Sequence, residues 1–148
     1  MKKSQPDSGN SLAGTTHGSV LGIDPGTQKA GFAVVEQTSS APLIFGIERL
    51  DDLIGRVRQL LASYKVRAIA LGRGTHASEV AKMLSSVDVP VHLIDEHETT
   101  WRARALYFAD HPPKGWRRLI PLGLLLPPRP IDDYAAVLIA RRFLEQIR

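Results

Sequence analysis

The 148-residue chain contains no cysteine. This absence excludes disulfide bonds, thiolate metal ligands and thiol catalysis, and it is compatible with a reducing compartment. Long apolar runs are also missing, because none approaches the ~20 residues that a membrane span requires. Segment 1–18 contains lysines but has no apolar core of the kind found in signal peptides. We therefore expect a cytoplasmic protein that makes no membrane contact.

The composition that is present predicts one folded domain with a basic surface. With 43% hydrophobic residues, a chain of this length can bury roughly two-thirds of its unfolded surface. Segment 1–18 is rich in Ser, Gly and Thr and has no periodicity, which predicts a flexible leader and leaves 19–148 as the domain. The formal net charge of +4 favours a polyanionic partner, although many basic proteins bind no nucleic acid.

Hydrophobic patterns predict a mixed α/β fold. Three short apolar segments, 20–24, 31–37 and 43–48, are separated only by turn residues, so these strands should pair antiparallel. From residue 50 onward helical and strand patterns alternate, which indicates parallel strands with helices packed on the sheet. The predicted elements are a helix from 50, a strand at 66–71, a helix at 77–85, a strand at 89–94, a helix from 98 or 99, an irregular stretch at 110–130 and a helix at 131–147.

Acidic residues stand where three of these elements begin or end. Asp24 ends the first predicted strand, Asp95 and Glu96 follow the last strand, and Asp132 and Asp133 open the C-terminal helix. At such places a carboxylate can reach an open edge of the sheet instead of being buried unpaired. If the three points converge, they form a site for a hard divalent cation.

Each acid also has a purely structural interpretation. Asp24 precedes Pro25 and Gly26 and could form an Asx-turn. Asp95 could orient its turn or cap the following helix, and we favour that role over direct metal ligation. Asp132 or Asp133 is expected to cap the last helix, which is compatible with ligation.

Three ordered motifs resemble those of the YqgF/RuvX family, whose members have a ribonuclease H-like fold with a mixed five-stranded sheet flanked by helices. The first motif, at 20–34, reads VLGIDPGTQKAGFAV, and its GIDPG core is also similar to the opening of RuvC-type Holliday junction resolvases. The second, at 95–100, reads DEHETT, and the third, at 131–136, reads IDDYAA. The resemblance extends from about residue 20 to the C-terminus.

The resemblance implies a metal-dependent endonuclease that hydrolyses phosphodiester bonds in structured nucleic acid with Mg²⁺ or Mn²⁺. The implied substrates are four-way DNA junctions or the 5′ region of precursor 16S ribosomal RNA. Two cations about 4 Å apart can activate water and stabilise the leaving oxygen when several carboxylates hold them. By resemblance, Asp24 would bridge both ions, Glu96 would hold one and Asp132 the other. Asp133 would be a further ligand or the helix N-cap.

Basic residues around these motifs are candidates for nucleic-acid contacts. The segment 111–130 has no acidic residue, and an exposed tryptophan among cations can stack on an unpaired base. The loop at 72–75 reads GRGT where the family usually has GLPL, and His97 replaces a usual arginine. Arg73 could contact phosphate or be simply solvated. The candidates are Lys29, Arg73, Lys114, Trp116, Arg117 and Arg118.

The apolar run 119–126 predicts core packing first, and a subunit contact in a homodimer second. Two other functions stay open. The GIDPGT sequence at 22–27 also resembles the phosphate loop of actin-like ATPases, although the chain lacks room for that class's second phosphate loop and second domain. A catalytically silent ribonuclease H-like binding domain is the other alternative.

Overall fold

The computed structural model describes residues 18–39, 41–74, 76–95, 99–121 and 124–147. Short 3₁₀ helices at Leu84–Ser86 and Gly115–Leu119 accompany the main elements. The main elements are β1 (Ser19–Pro25), β2 (Lys29–Glu36), β3 (Ile44–Arg49), α1 (Leu50–Ser63), β4 (Val66–Gly72), α2 (Ala77–Met83), β5 (Val91–Ile94), α3 (Thr99–Asp110) and α4 (Asp132–Gln146).

The strands form one five-stranded sheet in the order β3-β2-β1-β4-β5. The β1–β2 and β2–β3 pairs are antiparallel, whereas the β1–β4 and β4–β5 pairs are parallel. The predicted mixed five-stranded sheet is confirmed, and so is the change from antiparallel to parallel pairing. Because β1 lies between β2 and β4, its C-terminal end lies in the middle of the edge that the strand ends form.

Alternation along the strands divides the core between the two faces of the sheet. Leu21 and Ile23 of β1 belong to a buried cluster with α1 and α2, whereas Val20 packs in a cluster with α4. β1 is therefore buried on both faces, which explains its nearly continuous apolar sequence. By the same alternation, Asp24 shares the α4 face of the sheet with Val20.

Glycine and alanine allow α4 to pack unusually close to the β1–β2 hairpin. A Cβ atom on Gly22 would overlap the carbonyl oxygen of Ala136, and one on Gly31 would overlap that of Asp132. Ala136 and Ala140 are fully buried at this contact. Gly31 pairs with Asp24 at the end of β1, and Gly22 lies two residues earlier in that strand. Because Gly31 contacts Asp132 and Gly22 contacts Ala136, α4 begins near the end of β1 and runs back along it.

The structure corrects several predicted boundaries. β5 begins at Val91 rather than 89, and Pro90, which has no N–H, accepts a hydrogen bond from Ile69 N through its carbonyl (2.9 Å). α2 ends at Met83, where the predicted helix gives way to the 3₁₀ helix Leu84–Ser86. No helix in the described part of the chain is long and apolar enough to cross a membrane. Residues 1–17 of the predicted leader lie outside the described residues.

The prediction that the run 119–126 packs in the core is wrong for most of its described residues. Leu125 is only 3% exposed, but Leu119 is 88% exposed. Leu124 and Leu126 are also exposed. Most leucines in the described part of the run are therefore exposed to solvent, and Leu125 anchors the run to the domain.

Candidate functional site

Asp24 is held at the edge of the sheet by the geometry of the β1–β2 hairpin. It pairs with Gly31 across the hairpin, and the turn between them is closed by a 3.0 Å hydrogen bond from Gly26 N to the Lys29 carbonyl. Its side chain is partly buried and lies on the face that carries α4. Asp24 is therefore fixed by a central strand, which is a rigid support for a functional carboxylate.

Asp132 meets Asp24 because Gly31 has no side chain. The backbone of Asp132 occupies the space that a Cβ of Gly31 would need. This close approach brings the first residue of α4 to the end of β1, and a side-chain hydrogen bond links the carboxyl groups of Asp24 and Asp132. The structure thus brings together two of the predicted acidic points, which are 108 positions apart in the numbering.

The surroundings of Asp132 disfavour its negative charge. Burial raises the pKa of its carboxyl group, and the neighbouring charge of Asp133 raises it further. The hydrogen bond from Asp24 and the positive charge of Lys29 oppose this shift without cancelling it. Two carboxyl groups in direct contact can share a proton or a bound cation. Oxygen donors of this kind suit Mg²⁺ or Mn²⁺.

Asp133 has a different environment from Asp132. Its side chain is buried and forms an ion pair with Arg129, in which both carboxylate oxygens accept hydrogen bonds from the guanidinium at 3.3 Å. The Asp133 Oδ1 atom also accepts a 3.0 Å hydrogen bond from Tyr134 N. The guanidinium lies over the rings of Tyr107 and Tyr134, at 5.4 and 5.6 Å from their centroids. We infer that Asp133 supports α4 rather than extending the Asp24–Asp132 pair.

The expectation that Asp132 or Asp133 is the N-cap of the last helix is wrong. The N-cap is Ile131, which makes no side-chain capping hydrogen bond, and both aspartates lie in the first turn. Their negative charges there still interact favourably with the positive end of the helix dipole.

The second acidic motif is only partly described. Glu96 lies outside the described residues, as do His97 and Glu98, so the role of Glu96 stays a prediction. Asp95 is exposed directly after β5, and β5 runs parallel to β1 through β4. The second motif therefore leaves the sheet at the edge that carries Asp24. Within the described ranges, no group of three His, Asp or Glu side chains is arranged to hold a metal ion.

The predicted basic residues fall into two groups. Lys29 starts β2 and its charge acts on Asp132. Arg73 is exposed after β4, and its N–H donates a 2.8 Å hydrogen bond to the Ile94 carbonyl at the same edge. The others, Lys114, Trp116, Arg117 and Arg118, lie in or beside the second 3₁₀ helix between α3 and α4.

The acid pair lies at the end of β1, on the edge of the sheet that the strand ends form. Beside it, an open cavity is lined by Lys29, Arg49 and Asp51, among others. A more apolar cavity lies near the start of β1, where Val20 and Phe143 line it, so it is remote from the end of β1 that carries the acids. An open, charged edge can accommodate a polymer, whereas small-molecule sites are usually concave and mostly apolar.

Comparison with known proteins confirms the fold. No protein-family model and no curated protein sequence matches the chain. Among solved structures, it is similar to RuvC of Thermus thermophilus in complex with a Holliday junction substrate, with a TM-score of 0.56 and 22% identity over 88% of this chain and 96% of that chain. Another structure of Thermus thermophilus RuvC gives a TM-score of 0.50 and 19% identity over 86% of this chain and 96% of that one. The predicted ribonuclease H-like fold is therefore confirmed.

Proposed function

We propose that the protein is a metal-dependent endonuclease of the YqgF/RuvX type, which hydrolyses phosphodiester bonds in structured nucleic acid. The observation that carries this proposal is the contact between Asp24 and Asp132 at an open edge of the sheet. A protein that used these acids only for stability would gain little from placing two carboxyl groups in contact. Binding of a metal ion would explain why the two carboxyl groups are in contact.

In this function Asp24, Asp132 and Glu96 would hold Mg²⁺ or Mn²⁺, which would supply positive charge for the phosphate and for activation of the attacking water. Asp24 and Asp132 contribute oxygen ligands from a central strand and a helix terminus, both of which are rigid. Asp133 keeps its ion pair with Arg129 and positions α4.

Lys29 and Arg73 provide positive charge on the two sides of the acid pair. Lys29 lies on β2 and Arg73 follows β4, and these strands flank β1 in the sheet. A phosphodiester backbone that crosses the edge would therefore meet cations on either side of the carboxylates. Such contacts would fix the position of the backbone without reading its sequence.

Four-way DNA junctions are the first substrate to test, because the similar RuvC structure contains a Holliday junction substrate. The 5′ region of precursor 16S ribosomal RNA is the second substrate to test. We assign the activity to residues 19–148 and place the protein in the cytoplasm.

The test is cleavage of labelled four-way DNA junctions, linear duplexes and precursor ribosomal RNA, with Mg²⁺, Mn²⁺ or EDTA. We expect metal-dependent cutting that Asp24→Asn, Glu96→Gln and Asp132→Asn each abolish. Asp52→Asn is the matched control, because Asp52 is an exposed acid in the first turn of α1. Cutting by Asp24→Asn at the wild-type rate would show that the acid pair is not the catalytic centre.

The alternatives give different results in the same assay. Binding of ATP without cleavage would support a nucleotide-binding module of the actin-like class. Binding of nucleic acid that survives Asp24→Asn, without cleavage in any metal, would support a catalytically silent domain.

A further inference from the structure

The segment between α3 and α4 presents large apolar side chains to solvent. We call residues 111–130 the α3–α4 connection. Its base is anchored, because Leu125 is buried and Ile120 is partly buried in a cluster with Tyr134 and Ala135 of α4. Among the described residues of the connection, the exposed large apolar side chains are Trp116 (72%), Leu119 (88%), Leu124 (74%) and Leu126 (65%).

Local contacts give the exposed part a defined shape. Gly115 has a φ angle of +65°, which glycine adopts readily and other residues rarely do. It begins the 3₁₀ helix that carries Trp116, and its carbonyl accepts a long hydrogen bond from Arg118 Nε (3.4 Å). Arg117 Nη2 donates a similar bond to the Leu126 carbonyl (3.4 Å) and joins the two halves of the connection. Trp116 therefore lies on a turn whose conformation these contacts define.

The charge of the connection indicates what could cover these side chains. Lys114, Arg117 and Arg118 flank Trp116 in the sequence, and the sequence from 111 to 130 contains no acidic residue. The charge of Arg129 is offset by Asp133. A second copy docked on this surface would bring like charges together, which disfavours self-association. A polyanion with exposed aromatic faces complements both the cations and the apolar side chains.

We propose that the α3–α4 connection binds nucleic acid at a point where base stacking is interrupted. Trp116 stacks on an unpaired base, and Leu119 acts as an apolar wedge beside it, as leucine does in other nucleic-acid complexes. Lys114 and Arg118 contact the flanking phosphates. This inference rests on the proposed function in so far as nucleic acid is the substrate.

The position of the α3–α4 connection determines which nucleic acids this contact would favour as substrates. Leu125 packs with Tyr134 and Ala135, which belong to the helix that begins with Asp132. The base of the connection is thus fixed beside the acidic edge. Recognition of an unpaired base there would select branched or looped substrates over continuous duplex, whatever their sequence.

The test is binding in EDTA, where metal-dependent cutting is prevented. The probes are a four-way DNA junction with 2-aminopurine at the branch point and a linear duplex of the same arm sequence. We expect the wild type to bind the junction more tightly and to change the 2-aminopurine fluorescence. Trp116→Ala should lose about tenfold or more of the junction affinity, the range typical of one stacked base, and little of the duplex affinity.

Trp101→Ala is the matched control, because Trp101 is the other tryptophan of the chain and is 61% exposed on α3. It should leave the ratio of junction to duplex affinity within about twofold of the wild type. Lys114→Gln and Arg118→Gln should weaken binding to both probes. Each should reduce the slope of log affinity against log salt concentration by about 1, which corresponds to one lost phosphate contact. Circular dichroism of every variant verifies that the fold is retained, and Leu119→Ser provides a second variant of the wedge.

Three results would overturn the inference. The first is a ratio of junction to duplex affinity that is the same in Trp116→Ala and Leu119→Ser as in the wild type. The second is a sedimentation measurement in which the wild type is a dimer that these variants dissociate, since the surface would then belong to a second copy. The third is the absence of binding to either DNA probe, whereas the proposed function is judged separately by cleavage of DNA and precursor ribosomal RNA in the presence of metal. Junction cutting that continues alongside the first result would discard this inference and leave the nuclease proposal intact.

Discussion

Gly31 receives the backbone of Asp132 in the space where any other residue would have a Cβ atom. The same glycine pairs with Asp24 across the β1–β2 hairpin. One position without a side chain therefore determines how closely the two acids approach. This relationship links local sequence, helix packing and the candidate metal site.

Gly31→Ala should destabilise the protein and separate the acid pair. The new methyl group would overlap the carbonyl oxygen and carbon of Asp132, and backbone atoms cannot rotate away as a flexible side chain can. We expect a loss of about 1–3 kcal/mol or more in the free energy of unfolding, together with loss of cleavage. Urea denaturation measures the first effect and the cleavage assay the second.

Gly55→Ala is the control for this substitution. Gly55 is exposed on α1, and a Cβ atom there would meet nothing within 4 Å. Because alanine favours a helix over glycine, this variant should gain about 0.5–1 kcal/mol in stability and keep its activity. If Gly31→Ala were as stable as Gly55→Ala, the close approach of α4 would not be the reason for glycine at position 31.

Asp132→Asn should stabilise the fold in EDTA while it abolishes cleavage. The pKa of Asp132 is raised, chiefly by burial and then by Asp133, so the folded state favours the protonated form. In the wild type this favourable contribution is complete below the ordinary pKa of about 3.8 and is lost as the pH rises through the raised value. Removing the charge should therefore help most at neutral pH.

Unfolding by urea at several pH values between 3 and 8 measures this effect. The stability difference between Asp132→Asn and the wild type should grow with pH and then level off. Addition of Mg²⁺ or Mn²⁺ should stabilise the wild type and leave the variant almost unchanged, because a ligand that binds only the folded state raises its stability. Equal stabilisation of both proteins by the cation would place the metal elsewhere.

Arg129→Met should destabilise the protein by leaving a charge buried without its partner. Asp133 is 4% exposed and would lose both guanidinium hydrogen bonds. Because Arg129 is itself partly exposed, we expect a cost of about 1–3 kcal/mol. The double variant Arg129→Met/Asp133→Leu should recover most of the loss, since no unpaired charge then remains. Urea denaturation of the two single variants and the double variant measures the coupling.

Arg49→Met is the control for Arg129→Met. Arg49 also pairs with an aspartate, Asp51, but both side chains are largely exposed and their charged atoms are 3.7 Å apart. Its replacement should change stability by less than about 1 kcal/mol, as is usual for exposed ion pairs. A similar cost for Arg129→Met and Arg49→Met would mean that the Arg129–Asp133 pair does not stabilise the start of α4.

Much of the fold could be predicted because its signals are local. The apolar run at 20–23 and the turn residues Pro25 and Gly26 mark the end of β1, and the short connections after it leave antiparallel pairing as the simple solution. The hydrophobic pattern predicts a start of β5 at 89, two residues before the observed start at Val91. Hydrophobic character continues there, but Pro90 cannot donate a hydrogen bond to the sheet.

The candidate site was less predictable because it depends on packing between distant segments. The positions of Asp24 and Asp132 at element ends indicated convergence, but nothing local shows that Gly31 makes room for α4. Arg129 lies in the acid-free segment 111–130, and nothing in that local sequence indicates its ion pair with Asp133. The run 119–126 predicts buried leucines, but hydrophobicity alone does not distinguish a core from a binding surface.

Tyr134→Phe should weaken the attachment of α4 to α3, and its effect should depend on alkaline pH. The Tyr134 hydroxyl donates a 3.0 Å hydrogen bond to Asp110 Oδ2 at the end of α3. Its loss should cost about 0.5–1.5 kcal/mol at neutral pH, whereas Tyr64→Phe, which changes a phenol outside this network, should cost less. Urea denaturation at pH 7 compares the two variants.

Burial, with the hydrogen bond and charge of Asp110, raises the pKa of Tyr134 to about 12 from its ordinary value of 10.0. The folded state therefore holds its proton in a range where the unfolded chain releases it. This contribution to stability is complete below pH 10 and is lost as the pH rises through 12. The advantage of wild type over Tyr134→Phe should accordingly shrink across that window. Absorbance at the tyrosinate band should show a titration step near pH 12 in the wild type that Tyr134→Phe removes; an unchanged titration in the variant would exclude this assignment.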